Sequence, residues 1–550
     1  MNRDLLLQHF DRISEAPDAV ARLRRFILDL AVRGKLVEQD PADEPAAELL
    51  KRIQAEKARL VKEGLAKKEK SLASIRLDEA PFPVPLKWSW VRLQDITSYI
   101  QRGKSPIYAL DNGFPVVSQK CVQWHGLDLG PARKITNESI KKYEAVRFLQ
   151  ENDLLWNSTG TGTIGRVVRI LTPPQNLVCD SHVTVVRCAL VNAEFVRLWI
   201  SSDHVYRLIE DRAAGSTNQV ELTAQMATNQ VVPLPPLAEQ HRIVAKVDEL
   251  MALCDELEAA RTEREAQRDR LTAASLHRIG TAAVTTLPAA ARFHLDHLPR
   301  LTTRVEHIKQ LRQTILNLAV RGRLVPQVPN DEPSAELLKV AGEGASEDAV
   351  FSIPNSWRWV TVGQTSVARL GKMLDKAKNK GTFRRYLRNI NVRWFDFDLS
   401  DVYEMPFEDK ELEEFALLRG DVLVCEGGEP GRAAVWDERE KDIYFQKAIH
   451  RVRFTQGVDS DFFVNVLRES ADSGRLASYF TGVGIKHFTG KGLASFAYPL
   501  PPLAEQHRIV AKVDELMALC DQLEAQITST ETDSRRLLEA VLRDALNPVA

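Results

Sequence analysis

The chain has 550 residues, of which 44% are hydrophobic and 27% are charged, a balance typical of soluble globular proteins. This length is too great for one hydrophobic core, so we expect two or more domains. Lysine and arginine number 74 against 75 aspartate and glutamate residues. The resulting formal net charge of -1 excludes a polycationic tail protein but allows local basic patches.

The cysteines and the chain termini bear on the cellular compartment. The six cysteines include no Cys-x-x-Cys pair, which argues against a zinc ribbon or a disulfide framework. Free thiols in a chain of this size suit a reducing cytoplasm. No apolar run approaches about 18 residues, and the charged start MNRDLLLQHFDRISEAPD is unlike a signal peptide. We therefore expect a cytoplasmic protein that does not enter a membrane.

The N-terminal region carries the first part of an internal repeat. Residues 27–50 read ILDLAVRGKLVEQDPADEPAAELL and match 315–338 at 18 of 24 positions. A basic helical stretch at 51–70 follows in the first half and is largely missing from the second. We interpret this stretch as a solvated arm, with a phosphate or partner contact as the alternative.

The region that follows is predicted to be rich in strands. It opens with VPLKWSWVRL at 84–93, which resembles IPNSWRWVTV at 353–362. Short apolar runs then alternate with glycine, proline and asparagine, as in an α+β domain. Residues 160–165, GTGTIG, fit the G-x-G-x-x-G pattern, but the β-branched RVVRIL after them predicts a loop between two strands rather than a dinucleotide site. Tight turning explains these glycines, and close approach to a nucleic-acid phosphate is the alternative.

A long helix is predicted after the first strand-rich region. PLPPLAEQHRIVAKVDELMALCD at 233–255 recurs letter for letter at 499–521, and no further glycine or proline follows Pro236 until Gly280. Apolar residues recur with the four–three spacing of a coiled coil. We predict that the two stripes form the seam of an antiparallel pair of helices, and the alternative is that each helix packs on the core of its own domain. The predicted seam residues are Ile243, Val247, Leu250, Leu257, Ile509, Val513, Leu516 and Leu523.

The middles of the two halves diverge where their ends agree. Residues 94–232 and 363–498 have similar lengths, but only short stretches of their sequences can be aligned. The duplicated ends indicate either that the two halves have the same structural role or that they bind two copies of one partner. Divergent middles indicate that each half recognises something different.

A dense basic segment marks the second middle. Between Arg369 and Arg393, nine lysine or arginine residues stand against one acid, Asp375, with aromatic residues and asparagines among them. This pattern favours phosphate contacts combined with base-edge reading of DNA, and a solvated charged face is the alternative. The candidate DNA-binding residues of both middles are Arg102, Lys104, Lys120, Gln123, Trp124, Asn157, Thr161, Arg166, Asn218, Gln219, Lys372, Lys376, Lys378, Lys380, Arg384, Arg385, Arg388, Asn389, Asn391, Arg393, Arg432 and Lys486.

The sequence lacks the common catalytic motifs. The sequence has no P-loop, no [DN]-P-P-[YF] tetrad of amino-methyltransferases and no H-E-x-x-H motif. Asp401, Glu408 and Lys410 loosely follow a nuclease-like pattern, which we attribute to chance in so charged a chain. We therefore expect no catalytic or metal site in this chain.

These features together resemble the specificity subunit of type I restriction-modification enzymes along nearly the whole chain. PLPPLAEQHRIV, present twice, is similar to the segment that ends each target-recognition domain in that family. AVRGKLV and AVRGRLV resemble its repeated conserved stretch, while SPIY with VVSQKCVQW and GKMLDKAKNKG resemble the openings of its target-recognition domains.

The resemblance implies an α+β fold with an internal pseudo-two-fold repeat. Two α/β target-recognition domains would be separated by two long conserved helices packed as an antiparallel coiled coil. The expected parts are an N-terminal helical segment with a basic arm (1–83), target-recognition domain 1 (84–234), a central spacer helix (235–280), a linker with the repeated AVRG segment (281–352), target-recognition domain 2 (353–500) and a C-terminal spacer helix (501–550).

The resemblance also implies a division of labour. Each domain would read one half of a bipartite, asymmetric site in double-stranded DNA, and the helices would set the gap. Two copies of a methyltransferase subunit and a motor-nuclease subunit would be the partners. S-adenosylmethionine, ATP and Mg²⁺ would belong to those partners, with no cofactor in this chain. The alternatives are a two-fold scaffold whose middles bind proteins and a DNA-modifying enzyme in its own right.

Overall fold

The computed structural model divides the chain into two compact units. It describes residues 14–109, 112–160, 162–213, 221–332, 334, 350–375, 380–455 and 457–546. Unit 1 comprises Met1–Thr262 with Asp533–Ala550, and unit 2 comprises Glu263–Thr532. Each unit therefore combines a long stretch of one half of the sequence with a helical tail from the other half.

Unit 1 is a mixed helical and sheet structure. Its helices are α1 (Ala19–Val32), α2 (Ala46–Lys62), α3 (Asn137–Ile140), α4 (Ala193–Ile200), α5 (Asp203–Ala213), α6 (Ala224–Asn229) and the first part of α7 (Leu237–Thr281). Its strands are β1 (Ser89–Arg92), β2 (Thr97–Arg102), β3 (Phe114–Val117), β4 (Val122–Gln123), β5 (Gly126–Leu127), β6 (Arg133–Ile135), β7 (Leu154–Asn157), β8 (Val167–Arg169), β9 (Val178–Cys179), β10 (Val183–Cys188) and β11 (Val231–Leu234). Short 3-10 turns occupy Leu77–Glu79, Leu93–Ile96 and Ala145–Arg147.

The sheet β2-β10-β7-β8 carries the fold of unit 1. Its strand β7 is buried along its whole length, so successive side chains enter two cores on opposite faces. Leu154 and Trp156 join the core that contains Trp199, whereas Leu155 joins the core that contains Val117. Smaller sheets β6-β3-β9, β4-β5 and β1-β11 complete the unit, and β1 with β11 closes the domain at its two ends.

Unit 2 repeats this architecture. Its helices are the second part of α7, α8 (Leu287–Asp296), α9 (Leu298–Leu301), α10 (Val305–Val320), α11 (Val362–Thr365), α12 (Asp409–Phe415), α13 (Ser460–Asp472), α14 (Gly490–Ser495) and the first part of α15 (Leu503–Leu546). Its strands are β12 (Arg358–Thr361), β13 (Ser366–Leu370), β14 (Thr382–Leu387), β15 (Tyr403–Phe407), β16 (Val422–Cys425), β17 (Ala433–Val435), β18 (Tyr444–Phe445), β19 (Ile449–Phe454) and β20 (Ala497–Leu500). Short 3-10 turns occupy Asn389–Asn391 and Arg475–Tyr479.

The sheets of unit 2 have the connectivity of those in unit 1. The order β13-β19-β16-β17 corresponds to β2-β10-β7-β8, and β15-β14-β18 corresponds to β6-β3-β9. The terminal ribbon β12-β20 again closes the domain, with Trp359 paired with Pro499 where unit 1 pairs Trp90 with Pro233. The predicted α+β fold with an internal repeat is confirmed, although the middles are dissimilar in sequence.

The two long helices cross the boundary between the units. Helix α7 passes from unit 1 to unit 2 after Thr262, and α15 passes from unit 2 to unit 1 after Thr532. In unit 2 the tail of α7 buries Leu276 and Ile279 beside Leu318. In unit 1 the tail of α15 buries Leu538 and Val541 beside Ala16 and Ala19. The central spacer predicted at 235–280 is thus one helix shared by two packing units.

The apolar stripe of α7 packs on unit 1. Ile243, Val247 and Cys254 lie in one core with Trp88 and Phe195, and Leu250 packs at its edge, while Leu257 is largely exposed. The predicted contacts of this stripe across a helix–helix seam are wrong. The stripe faces helix α1 and the domain's own side chains, because a helix of this amphipathic period can cover a core as readily as a partner helix.

The matching stripe of α15 packs on unit 2. Ile509, Val513 and Cys520 lie in a core with Trp357 and Phe462. Leu516 and Leu523 pack at the edge of that same core. The alternative interpretation, an amphipathic helix on each domain's own core, therefore describes seven of these eight positions better than the seam, and Leu257 is the exception.

A buried glutamate fastens each long helix to its domain. Glu239 accepts hydrogen bonds from the indole of Trp88 (3.0 Å) and the amide of Gln39 (2.5 Å). Burial raises the pKa of Glu239, and these two hydrogen bonds oppose that shift. In unit 2, Glu505 accepts the same hydrogen bonds from Trp357 (3.0 Å) and Gln327, with its pKa raised by burial. The duplicated sequence thus encodes a duplicated polar attachment.

A basic residue of each repeated AVRG segment binds the carbonyl end of a long helix. The ammonium of Lys35 donates to the carbonyl of Leu546, at the end of α15. Arg323 in the second copy donates to the carbonyls of Gly280 (3.3 Å) and Ala282 (3.2 Å), at the end of α7. A cation at the carbonyl end of a helix is favourable, because it satisfies free carbonyls and complements the helix dipole.

Candidate nucleic-acid interface

Three loops meet at the surface of unit 2 and form what we call loop cluster 2, residues 388–395, 426–432 and 481–488. The guanidinium of Arg432 donates to the carbonyl of Asn389 (2.8 Å), and the amide of Asn389 donates to the carbonyl of Gly427 (3.4 Å). The backbone N–H of Phe488 donates to the carbonyl of Glu426 (2.8 Å). These bonds hold segments that are far apart in sequence in one place.

Unit 1 builds a corresponding loop cluster 1 from residues 118–124, 157–160, 162–166 and 221–223. The amide of Asn157 donates to the carbonyls of Gln119 (2.9 Å) and Thr163 (3.2 Å). The guanidinium of Arg166 donates to the side chain of Gln123 (2.7 Å). The N–H of Leu222 donates to the carbonyl of Ser158 (2.8 Å), as that of Phe488 does in the other cluster.

The glycine-rich loops lie between strands, as predicted. The loop at 160–165 joins β7 to β8, and the loop at 426–432 joins β16 to β17. Gly165 has a φ of +84°, and a Cβ added to it would lie 2.9 Å from the ring of Tyr206. Gly431 has a φ of +89°, and a Cβ there would lie 2.2 Å from Leu476. Both loops need glycine for conformation and for space, so a dinucleotide fingerprint is not required to explain them.

Five of the seven basic residues that the structure describes in the segment 369–393 pair with acids that lie later in the sequence. Arg369 pairs with Glu414, Lys372 with Glu411, Arg385 with Glu440, Arg388 with Asp401 and Arg393 with Asp398. Counting charges along the sequence overstated the net positive charge of this surface. The prediction of DNA contact remains for the exposed members, with phosphate attraction weaker than the run suggested.

Three of the candidate DNA-binding residues are buried and form hydrogen bonds inside their own domains. Lys372 donates to the carboxylate of Glu411 (2.5 Å) and to the carbonyl of Pro406 (2.8 Å). Asn391 donates to the carbonyls of Asp398 and Asp401, both at 2.9 Å, and accepts from the N–H of Arg388 at 2.8 Å. Asn157 holds the glycine loop. We correct these three predictions, because the side chains are buried and donate to groups inside their own domain.

The remaining candidates of the first middle surround loop cluster 1. Lys120 is exposed, and Trp124 is 57% exposed with its ring tilted against Tyr206 at 6.4 Å. Lys104 is half-buried. Arg102 donates to the carbonyl of Ser181 (2.9 Å) and pairs with Glu221. Trp124 and Lys120 are thus the most accessible members, while Arg102, Gln123 and Arg166 are held by neighbours.

The remaining candidates of the second middle divide in the same way. Lys380 and Lys486 are exposed, and Arg384 is half-buried on β14. Arg388 lies over the ring of Tyr403 at 3.6 Å while it pairs with Asp401 at 2.6 Å. Asn389 and Arg432 belong to loop cluster 2. Thr161, Asn218, Gln219, Lys376 and Lys378 lie outside the described residues.

Gln119 and His182 were missed by the sequence analysis. Both meet the hydroxyl of Thr159, at 3.3 Å from Gln119 Oε1 and 2.7 Å from His182 Nδ1. No local pattern marks them, because the contacts join β-strand ends that are far apart in sequence. The exposed apolar side chains of unit 2, among them Ile390, Phe395, Val483 and Ile485, also escaped notice.

The basic stretch at 51–70 is a locally neutralised surface. Its first part is α2, where Lys51 pairs with Glu48, and Arg59 pairs with Glu56 and Glu63. Arg52 pairs with Glu44. The charged face of α2 is solvated, but the stretch is not a free arm, because Ile53 is buried in the core of unit 1 and Lys57 donates to the carbonyl of Gln94 (2.5 Å).

Reactive chemistry is not assembled at either cluster. Among the described residues no group of three histidine, cysteine or acidic side chains could hold a metal ion. Of the nuclease-like residues, Asp401 pairs with Arg388 (2.6 Å), and Glu408 pairs with Lys410 (3.0 Å). Burial raises the pKa of Cys425 to about 11 and that of Cys188 to about 12, which keeps both thiols protonated. None of the described helices is both long and apolar enough to cross a membrane.

Comparison with known proteins gives the family. The family model of the type I restriction modification DNA specificity domain matches residues 85–266 and 364–530, more than half of the chain. The chain belongs to this family. Both matches begin near the ribbon strand that opens a domain and extend into a long helix.

The chain is similar to characterised members of the family over almost its whole length. It is 28% identical to the type I restriction enzyme EcoAI specificity subunit of Escherichia coli, over 96% of this chain and 94% of that one. It is 27% identical to the EcoEI specificity subunit of Escherichia coli, with the same coverage. A solved structure of the HsdS subunit from Thermoanaerobacter tengcongensis covers 86% of this chain and 100% of its own, at 18% identity and a TM-score of 0.46.

Proposed function

We propose that this protein is the DNA sequence-specificity subunit of a type I restriction-modification complex. Each target-recognition domain reads one half of a bipartite, asymmetric site in double-stranded DNA. One observation carries the proposal: two domains of the same topology, set in duplicated frames, present loop clusters of different sequence. Duplicated frames with different loops are what a protein needs to read two different half-sites in one geometry.

The partners follow from the duplicated frame. Two copies of a methyltransferase subunit bind the repeated segments, and a motor-nuclease subunit joins that core. S-adenosylmethionine, ATP and Mg²⁺ act on the partners, and this chain contributes no catalytic residue. A cytoplasmic location suits its six free cysteines.

The loop clusters supply chemistry suited to this task. The accessible cations Lys120, Lys380 and Lys486 can contact phosphates. Trp124 can contact a base or sugar through its exposed ring. Arg388 and Arg393 can exchange their carboxylate partners for nucleic-acid acceptors, since both pairs lie at the surface.

The test is the exchange of one reading domain within the full chain. The structure places the joints after Arg92 and before Val231, so that the ribbon β1-β11 keeps its own strands. A family domain inserted between these joints should change one half-site of the methylated motif and preserve the other. The matched control exchanges the segment of unit 2 between Thr361 and Ala497, at the ribbon β12-β20. This exchange should change the other half-site and preserve the first.

Methylation mapping of DNA from cells that carry each chimaera with the methyltransferase subunit provides the readout. A change of both half-sites in an assembled complex would contradict independent reading. An assembled wild-type complex that methylates without sequence preference would instead favour the scaffold alternative.

A further inference from the structure

A short hairpin of unit 2 exposes two branched apolar side chains at its tip. In residues 481–487, TGVGIKH, Val483 is fully exposed and Ile485 is 74% exposed. Lys486 beside them is exposed as well. Scattered apolar residues are ordinary on a protein surface, but two on one narrow tip form a local apolar feature in a polar setting.

The hairpin is held in shape at its base. Thr481 and His487 exchange backbone hydrogen bonds, each of 2.9 Å. Gly482 has a φ of +100°, and a Cβ added there would lie 2.2 Å from the carbonyl oxygen of Ile485. The turn therefore requires glycine at this position, and the tip is presented on an ordered base.

The base is joined to the glycine-rich loop of loop cluster 2. Phe488 donates its N–H to the carbonyl of Glu426 (2.8 Å), and its own carbonyl lies 3.0 Å from Nε2 of the buried His450. A Cβ added to Gly427 would lie 3.5 Å from Nδ1 of His487. The base of the hairpin thus lies beside Gly427, whose carbonyl accepts a hydrogen bond from Asn389 of loop cluster 2.

The repeat shows which positions of the tip vary. Thr489 caps α14 through the N–H of Gly492, and Thr223 caps α6 through the N–H of Met226, which aligns the two halves at an offset of 266 residues. Val483 then corresponds to Thr217, and Ile485 corresponds to Gln219. In the sequence, these two positions are therefore apolar in the second half and polar in the first.

We infer that Val483 and Ile485 are specificity-determining residues that contact the C5-methyl group of a thymine in the half-site read by unit 2. This inference rests on the proposed function. The thymine methyl is the apolar group on the major-groove edges of the bases, and apolar side chains recognise it. The flanking Lys486, which is exposed, matches a phosphate-bearing partner better than an apolar protein surface.

The test uses the full chain assembled with its methyltransferase subunit and duplexes that carry the mapped site. Each thymine of the second half-site is replaced in turn by uracil, which removes only the methyl group. The wild-type complex should lose about fourfold in affinity for each contacted methyl, the value of one buried CH₂. The same replacements in the first half-site give the matched comparison within one molecule.

The variant V483T/I485Q places the residues of the first half at the tip. It should bind the thymine site more weakly and lose the preference for thymine over uracil, while discrimination in the first half-site stays unchanged. The variant V483A/I485A tests the same contact without adding polar groups. The control V284T alters a similarly exposed valine, 73% exposed, after α7, and should leave both half-sites unaffected.

Several outcomes would overturn the inference. One is a variant that keeps the wild-type thymine preference, and another is a second half-site that contains no thymine. A variant with normal thymine preference but impaired assembly would assign the tip to the methyltransferase subunit instead. Failure of the proposed function is distinguishable, because the wild-type complex would then show no sequence-specific methylation at all.

Discussion

At the scale of single residues, the buried carboxylate at the start of each long helix shows why the repeated PLPPLAEQ sequence carries a glutamate. Glu239 lies in the first turn of α7, where the helix dipole favours a negative charge, and it accepts from Trp88 and Gln39. The tryptophan comes from the repeated P-x-x-W-x-W segment, and the glutamine follows the repeated AVRG segment. Three separately duplicated motifs thus meet at one hydrogen-bonded point.

Glu239→Ala should lower the free energy of unfolding of unit 1 by about 1–3 kcal/mol for each donor left unpaired. Glu505→Ala should have the same effect in unit 2, because Trp357 and Gln327 are arranged in the same way. Hydrogen exchange under denaturant, read separately for the two units, measures both. Lys246→Ala removes only an exposed pair with Glu249 and serves as the control, with an expected change below about 1 kcal/mol. Equal effects of Glu239→Ala and the control would contradict this role.

At the scale of elements, the long helices are defined by where they pack and where they do not. Helix α7 is fastened to unit 1 as far as Arg261, whose guanidinium donates to the carbonyls of Ala16 (2.7 Å) and Glu15 (3.1 Å). It is buried again in unit 2 from Thr272 onward. The residues around Thr262 lie between these attachments and are largely exposed. They form the part of the helix where length can change with the least damage to either core.

Insertion of four residues after Thr262 should lengthen the unspecified gap of the DNA site and leave both half-sites unchanged. Four helical residues add about 6 Å, close to two base pairs, and turn the following segment by about 40°. A second variant carries this insertion together with the same four residues after Thr532, where α15 crosses the unit boundary. It should lengthen the gap equally and be more stable than the variant with the single insertion.

Methylation mapping of both variants provides the measurement. The same four residues inserted after Ala283, in the connection between α7 and α8, should leave the gap unchanged. An active complex with the wild-type gap after both boundary insertions would show that the helices do not set the spacing.

At the scale of the whole molecule, each compact unit depends on a tail from the other half of the sequence. Leu276 belongs to the first half but is buried in unit 2 beside Leu318. Leu538 belongs to the end of the chain but is buried in unit 1 beside Ala16 and Ala19. The buried side chains of each unit therefore come from both halves of the chain.

Leu276→Ala should destabilise unit 2 by about 2–5 kcal/mol, and Leu538→Ala should destabilise unit 1 by a similar amount. The reason is the loss of buried apolar surface together with the cavity that remains. Hydrogen exchange resolved by peptide should show faster exchange around Leu318 in the first variant and around Ala19 in the second. The reverse assignment, with Leu276→Ala loosening unit 1, would contradict the exchanged-tail arrangement.

The repeat, the fold class and the glycine loops could all be predicted because each leaves a local or periodic mark in the sequence. A duplication is visible letter for letter, a strand–loop–strand segment shows β-branched residues on both sides of its glycines, and an uninterrupted helical period predicts a long helix. The family resemblance rests on the same marks and was confirmed for that reason.

The partners of these elements could be decided only by the tertiary structure. The stripe of α7 has the period of a coiled coil, yet the period states only which face is apolar, and Trp88 and Phe195 cover that face. The segment 369–393 is strongly basic along the sequence, because the acids that pair with it, Glu414, Glu440 and Asp401, all come after Arg393. Asn157 and Asn391 looked suited to base reading, although their amides are used inside the domain. Sequence by itself determined the elements and their repetition, whereas burial and charge pairing depend on contacts between distant residues, which only the folded chain brings together.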